Sequence, residues 1–368
     1  MTRLDRVVVI GTGLIGTSIA LALRHEGVEV CLHDRDDASL RLAVALGAGI
    51  PLASSEHTGP ADVAIIAVPP AVAPATLKSA QDEGVAEVYT DTASVKTHLV
   101  RRAAALGCDM TTFVPGHPMG GRERTGPAAA QADLFLGRPW ALCPTPDSTP
   151  HSLAVVDELA RRCGGRPIVM DAHDHDQAVA LVSHLPHAIS AAMSARLLGA
   201  GSHSLDLSGQ GVRDVSRLAG GSPAMWTEIL VQNAEPLASV FDAVIDDLHT
   251  LAQALRKVSA GDDPSADVVR DLLERGRAGR ELIPGKHGGP ATDYVVLPVV
   301  IPDEPGALAR LFSAAQESNV NIEDVSLDHS PGLPVAVAHL SVHPDSLASL
   351  SEGLAKRGWM VHTPPSDR

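Results

Sequence analysis

Near the N-terminus, Val7-Val8-Val9-Ile10 runs straight into Gly11-Thr12-Gly13-Leu14-Ile15-Gly16 and then the helix-forming stretch Thr17–Leu23. A strand that feeds a G-x-G-x-x-G turn and opens a helix leaves few choices of fold. Gly11 permits the tight turn, Gly13 lets a pyrophosphate approach the backbone, and Gly16 lets helix and strand pack closely. The helix N-terminus, beginning at Leu14 and Ile15, offers N–H groups and a partial positive charge to the phosphates. Asp34 follows Gly16 by 18 residues, close to the spacing of a ribose-binding acid. A carboxylate there favours NAD, because it repels the 2′-phosphate of NADP. Arg35 and Arg41 pull the other way, since an arginine can hold that phosphate, so NADP stays the lesser option.

The alternation continues. Arg6–Ile10, Val28–His33, Ala61–Val68, Val85–Asp91 and Trp140–Cys143 read as strands between Ala/Leu-rich helical stretches. That pattern predicts a parallel, doubly wound α/β sheet over residues 1–170. Residues 171–280 hold no convincing strand, and Asp176–Leu198 and Pro223–Ser259 read as long helices. Helices this apolar need partners, which predicts an all-helical dimerisation domain and a homodimer. Arg275–Pro290, rich in Gly, Arg and Pro, reads as a linker. After it, residues 291–365 show the order β-α-β-β-α-β: Tyr294–Ile301, Gly306–Ser318, Asn321–Asp328, Val335–Val342, Ser346–Arg357 and Trp359–His362. This is the ferredoxin-like order.

Composition narrows the function. With 44 acidic against 29 basic residues the net charge is −15, which argues against a broad nucleic-acid surface but not against one locally basic pocket. No apolar run reaches the roughly 18 residues of a membrane span. The N-terminal apolar run is too short for a signal peptide and leads into the glycine motif. Cys31, Cys108, Cys143 and Cys163 are too scattered for a disulfide framework or a zinc site. A reduced, cytoplasmic protein without a metal is the expectation.

Four further segments carry candidate chemistry. The strand ending at Asp91 is followed by Thr92-Ala93-Ser94-Val95-Lys96. Ligands of open α/β sheets bind beyond the carboxyl ends of the strands, so Ser94 and Lys96 are expected to face the nicotinamide. His117, in Pro115-Gly116-His117-Pro118-Met119-Gly120-Gly121-Arg122-Glu123, is expected on a loop after a short strand, where it can take a proton from an alcohol at neutral pH. Ser183-His184-Leu185-Pro186-His187 places two histidines on one helix face, for an interhelical hydrogen bond or a metal. The nearby Asp171–Asp176 (DAHDHD) adds two more histidines; its HDHD stretch reads as a solvated interdomain turn, and no Cys or Glu completes a ligand set. Arg213 and Arg217, at i and i+4 in a helix after Gly209-Gln210-Gly211, form either a compact anion site or a surface salt bridge. Pro223-Ala224-Met225-Trp226 follows.

Taken in order, G-T-G-L-I-G-T-S, D-T-A-S-V-K, G-H-P-M-G-G-R-E, S-H-L-P-H, and G-V-R-D-V-S-R-L-A with P-A-M-W resemble the prephenate and arogenate dehydrogenases of tyrosine biosynthesis over residues 6–260. The last part resembles an ACT domain, with Asp303-Glu304-Pro305-Gly306 before its first helix and Asn319-Val320-Asn321-Ile322 after it. The resemblance implies oxidation of the prephenate carbinol by NAD⁺ with loss of the ring carboxylate as CO₂. It makes His117 the proton acceptor, Ser94 a hydrogen-bond partner of the same hydroxyl, and Arg217 the carboxylate grip. His187 becomes a second polar clamp supported by His184, Glu123 an acid closing the pocket, and Trp226 part of its wall. Lys96 is left as structure or site charge. Gln210 departs from the glycine expected there, which puts one local backbone contact in doubt. The ACT resemblance implies a tyrosine site around Gly306 and Asn321, or a module that only dimerises.

Other substrates and functions fit the same residues. Arogenate carries an amine where prephenate has a keto group, and Glu123, Asp206 and Asp214 are acids that could meet it. A relative acting on 4-amino-4-deoxyprephenate is more distant. A β-hydroxyacid dehydrogenase needs a catalytic lysine in the helical region, which offers only Lys257. A non-enzymatic NAD- and amino-acid sensor would leave His117, Ser94 and Arg217 unexplained.

Overall fold

A computed structural model describes residues 4–55, 59–121, 125–284, 294–329 and 334–362. The chain packs as two compact units, residues 1–246 and 247–368.

The first unit opens with β1 (Arg6–Ile10), α1 (Leu14–His25), β2 (Glu29–His33), α2 (Asp37–Ala45), β3 (Ile50–Pro51), β4 (Ala61–Ile66), α3 (Ala73–Asp82), β5 (Ala86–Asp91), α4 (Thr97–Ala105) and β6 (Phe113–Val114). These strands form one parallel sheet in the order β3-β2-β1-β4-β5-β6. That is the doubly wound dinucleotide-binding order, with the direction of winding reversing between β1 and β4. Both sheet faces are covered. Val7, Val9, Val63 and Ile65 pack with Ile19, Leu23, Val156 and Leu159 on one side. Val8, Ile10, Ala64 and Ile66 pack with Leu77, Leu99 and Phe113 on the other. Burial on both faces is why these strands read as apolar runs rather than alternating ones.

The main sheet stops earlier than the sequence suggests. Trp140–Cys143 does not extend it. After Pro115 the chain turns into β7 (Gly116–Pro118), which pairs antiparallel with β8 (Pro139–Leu142); α5 (Pro150–Arg162) then leads to β9 (Arg166–Val169), parallel to β8. Proline has no N–H to continue a ladder. Instead the Pro115 carbonyl accepts from Cys143 N at 2.8 Å, which joins the second sheet at this corner. His117 therefore lies in a strand, not in a loop.

The helical region begins at α6 (Ala172–Val179), capped by the Asp171 side chain on His173 N. A π-helical turn, Ala180–His184, joins it to α7 (Leu185–Arg196). The expected helix from Asp176 thus starts four residues earlier and carries one wide turn. Taken as one 28-residue helix, Ala172–Gly199 is long and apolar enough to cross a bilayer by length and composition. It nevertheless buries His175, Asp176, His184 and His187, so we read it as a packed helix of the first unit. Then come α8 (Ser202–Asp206), α9 (Gln210–Ser216), a 3-10 turn at Arg217–Gly220, α10 (Pro223–Gln232) and α11 (Ala234–Ser259). The expected single helix Pro223–Ser259 is broken at Asn233, whose buried amide bonds outside the helix.

In the second unit, α12 (Ala266–Glu281) runs into the first part of the expected linker, as far as Glu281. Its Arg275 bonds Asp247 and Asp271, partners that hold it in register. Residues 285–290 of that expected linker lie outside the described residues. Next come β10 (Val295–Pro302), α13 (Ala307–Glu317), β11 (Asp324–His329), β12 (Val335–Val342), α14 (Leu347–Lys356) and β13 (Met360–Val361). The antiparallel sheet has the order β11-β12-β10-β13. Leu297, Val299, Ala338 and Leu340 pack on Leu311, Ala315, Leu350 and Leu354 of the two helices. The β-α-β-β-α-β order read from the sequence is the order found.

Candidate active site

The glycine turn sits at the switch point between β1 and β4. Gly11 has φ +104°, and a Cβ there would stand 2.3 Å from the Ala67 carbonyl. A Cβ on Gly16 would fall 2.0 Å from the Gly11 carbonyl, so α1 can approach β1 only with glycine here. At Gly13, by contrast, a Cβ would meet nothing within 4 Å. The opening lies where a pyrophosphate would approach the backbone. The first turn of α1 at Leu14 and Ile15 carries no acidic residue and no side-chain cap. Its N-terminus is thus electrostatically suited to an anion. The Asp34 carboxylate lies beside the turn, accepting from Thr12 N at 2.6 Å, Thr12 Oγ1 at 2.8 Å and Asp36 N at 2.9 Å. Arg35 and Arg41 are exposed. The residues present fit a dinucleotide.

His117 lies on β7 beyond the carboxyl end of β5 and is 8% exposed. Its position is set by a buried ion pair. Lys96 Nζ meets Asp91 Oδ2 and donates to the Gly116 carbonyl at 2.6 Å; Asp91 Oδ1 accepts from Gly116 N at 3.2 Å. Lys96 is fully buried. It therefore does not face the nicotinamide as expected, but grips the residue preceding His117. Ser94 stands half-buried in the same loop. Burial holds the His117 imidazole well below its ordinary pKa, with His175, Lys96 and His184 adding to the effect. It is neutral at pH 7, as a proton acceptor must be.

Sequence reasoning missed the groups behind His117. The HDHD stretch is not a solvated turn but lies in α6. His175 and Asp176 are 1% and 2% exposed. His117 Nδ1 lies 2.9 Å from His175 Nε2, and His175 Nδ1 lies 2.8 Å from Asp176 Oδ1. Asp176 also accepts from Lys96 N and Thr97 N, each at 2.8 Å. Burial alone would raise the Asp176 pKa, but these donors outweigh it and the net shift is downward. Asn233 Nδ2 donates to the Asp176 carbonyl at 2.9 Å and lies 3.0 Å from His184 Nδ1. Burial lowers the His184 pKa to about 4. The one available signal was a polar run with an N-cap aspartate before a helix, which marks a helix start rather than a turn.

His184 at the end of the π turn and His187 in α7 share one neighbour. The Trp226 ring stacks on His187 at 3.6 Å with an 11° tilt and meets His184 edge-on at 6.3 Å. Gly221 lets them meet, since a Cβ there would lie 2.6 Å from Trp226 Nε1. Arg213 sits in α9, whereas Arg217 opens the following 3-10 turn, so the two are not on one continuous α-helix as expected. Both are exposed. Ser190 Oγ of α7 bonds the Val215 carbonyl and ties this segment to the helix of His187. Gln210 donates to Asp214 at 2.7 Å within α9. Glu123 lies outside the described residues.

Gly306 and Asn321 are in the second unit and line separate hollows. Gly306, at φ +85°, borders one of about 150 Å³ with Asp303 and Leu308. Asn321 borders one of about 610 Å³ with Phe312, Gln316, Asn319 and Val325.

Residues 19–169 match the family described as prephenate dehydrogenase, nucleotide-binding domain, and residues 171–268 match prephenate dehydrogenase, dimerization domain. NovF of Streptomyces niveus, a probable prephenate dehydrogenase, is 39% identical over 361 residues, 97% of this chain and 99% of that protein. The crystal structure of prephenate dehydrogenase from A. aeolicus with hydroxyphenyl propionate and NAD⁺ superposes with a TM-score of 0.66 at 25% identity, over 75% of this chain and 99% of that one. The arogenate dehydrogenase structure from Synechocystis gives 0.59 at 28% identity, over 75% and 98%.

Proposed function

The chain belongs to the prephenate dehydrogenase family, and from that premise we propose that it converts prephenate to 4-hydroxyphenylpyruvate in tyrosine biosynthesis. It is an NAD-dependent dehydrogenase by family and by its nucleotide-binding domain. The observation that carries the reaction is the neutral, buried His117 held at the carboxyl end of the dinucleotide-binding sheet.

NAD⁺, when bound at Gly11, Gly13 and Gly16, supplies the hydride acceptor. His117 takes the proton from the 4-hydroxyl as the carbinol carbon is oxidised, and Ser94 orients that hydroxyl. Arg217, with Arg213 beside it, grips a substrate carboxylate, since a guanidinium fork matches both oxygens. His187 and Trp226 wall the ring, and His184 backs them. Loss of CO₂ then leaves an aromatic ring, which makes the step irreversible.

Prephenate is preferred over arogenate on the likeness to NovF, a probable prephenate dehydrogenase, over 97% of this chain. Arogenate is the second reading, favoured by the likeness to the Synechocystis enzyme. Initial rates with both substrates and both nicotinamides test this. A higher kcat/KM for prephenate with NAD⁺ is expected, and preference for arogenate reverses the assignment.

Four further readings complete the proposal. The division is 1–170 for the dinucleotide, 171–280 for dimerisation and substrate, and 291–365 for an ACT-like module. A homodimer would cover Leu181, Val182, Leu198 and Val231, which are 56%, 66%, 92% and 68% exposed. Tyrosine is the proposed effector of the last module, and the four free cysteines fit a reducing cytoplasm. Activity and melting temperature unchanged by tyrosine would remove the effector.

A further inference from the structure

The proton acceptor has a chain of groups behind it that the reaction as described does not use. His117, His175 and Asp176 are joined by contacts of 2.9 and 2.8 Å, and all three are buried. Asp176 is anchored in turn by the Lys96 and Thr97 amides at the start of α4. Hydrogen bonding allows one sequence of tautomers here. The ionised Asp176 only accepts, so His175 Nδ1 carries a proton towards it. His175 Nε2 is then a lone pair, so His117 Nδ1 must carry the proton between the rings. The remaining lone pair of His117 is left on Nε2.

We propose that His175 and Asp176 are positioning residues for the dehydrogenation. They lock His117 as the Nδ1–H tautomer, keep Nε2 free for the substrate hydroxyl, and face the imidazolium that forms with an ionised carboxylate at the far end of the chain. The proposal rests on His117 as the base in the reading above. The balance is simple. The hydroxyl proton moves to His117 Nε2, the Nδ1 proton stays bonded to His175, and Asp176 remains ionised. His117 later returns one proton to solvent.

The alternative is that these residues only seal the contact between α4 and α6. Burial argues against so limited a part. A sealing contact is made as well by apolar side chains, whereas each buried polar group must find its partner or cost about 1–3 kcal/mol. Here an imidazole is placed between another imidazole and a carboxylate, with both its nitrogens engaged. Other charged or titratable groups around His117 are the Lys96–Asp91 pair from the β5–α4 segment and His184 from the π turn. Lys96 is neutralised by Asp91, and Asn233 holds His184 Nδ1. The carboxylate of Asp176 is thus the negative charge in line with His117.

The experiment is a pair of measurements on the full chain. Nitrogen-15 histidine spectra at pH 7 report the tautomer of His117 with no substrate present. The Nδ1–H form is expected, assigned by its loss in His117→Asn, and it should disappear or mix in His175→Phe. A His117 found as the Nε2–H form overturns the proposal, whether or not prephenate is turned over. Kinetics then separate positioning from structure. His175→Phe should lower kcat by roughly tenfold to a hundredfold, a part of the ~10²–10⁴ a general base contributes. KM should change less than about threefold. His175→Gln, which keeps an acceptor for His117 Nδ1, should recover part of the rate. Unchanged kcat, or a loss that Gln does not relieve and that tracks the melting temperature, overturns the proposal. Absence of wild-type turnover alongside the Nδ1–H form would instead count against the substrate assignment.

Discussion

At one end of the candidate site, His117 stands on a strand, gripped through Gly116 by Lys96 and Asp91 and backed by His175 and Asp176, with every one of these side chains buried. At the other end, Arg213 and Arg217 are exposed on a seven-residue helix and a 3-10 turn that begins where it stops. The chemical end is over-determined: several bonds fix each group, and water is shut out. The recognition end is short and exposed. The contrast follows from what each end must do. A general base needs one geometry and a shifted pKa, and both come from burial. A carboxylate grip needs a full positive charge, which burial without a partner would forbid. Mutations should therefore act on kcat at the first end and on KM at the second.

The largest effect should come from His117→Asn. It removes the proton acceptor while leaving the binding contacts, so kcat should fall by about 10²–10⁴. An unchanged kcat in steady-state assays would end the assignment of His117 as base. Next is Lys96→Met. It strands the Asp91 carboxylate in the interior, and breaking a buried pair costs on the order of 3–5 kcal/mol. Urea denaturation should show that loss; a cost under about 1 kcal/mol would mean the pair is not what fixes Gly116. Arg217→Ala should be milder and should fall on KM, about tenfold to a hundredfold, for one charge-assisted interaction of roughly 1.5–3 kcal/mol. A fall in kcat at constant KM would erase the division between the two ends. Should KM move less than a few-fold, the grip belongs to Arg213.

The smallest effect is in pH dependence, where the two ends also differ. His117 and His184 are held below their ordinary 6.5, His184 at about 4, by burial. The folded pKa is the lower one, so the unfolded chain takes up protons first. The stabilisation from keeping these rings neutral is complete above pH 6.5 and is lost as pH falls through the folded value, for His184 about 4. Melting temperature should decline across that window. The acid limb of kcat/KM should lie below 6.5, because His117 stays competent there. A limb at or above 6.5 would mean an unburied base.

The sequence disclosed what is local. Gly11, Gly13 and Gly16 are spaced by the turn they make, and the apolar runs of β1, β4 and β5 mark strands buried on both faces. His117, Ser94, His187 and Trp226 were visible because short motifs carry them. What stayed hidden depends on distant partners. His175 and Asp176 look like solvent-seeking residues until the Lys96 and Thr97 amides, some eighty residues earlier, are known to meet them. Lys96 looked like a site charge because nothing in its spacing tells that Asp91 and Gly116 close over it. The break at Asn233 was equally invisible, since its cause is two acceptors on another helix.

The π-helical turn at Ala180–His184 amounts to one residue more than a regular helix would hold over the same length. An α-helix turns by about 100° per residue. That single residue decides the orientation of everything downstream in α7 relative to α6. It lets one rod present His175 and Asp176 to the proton-accepting end and His187 to the ring-binding end. The distance between chemistry and recognition is thus stored as a count. Substitutions along this helix can change its stability by degrees, but a deletion within the turn would rotate one half of the site away from the other.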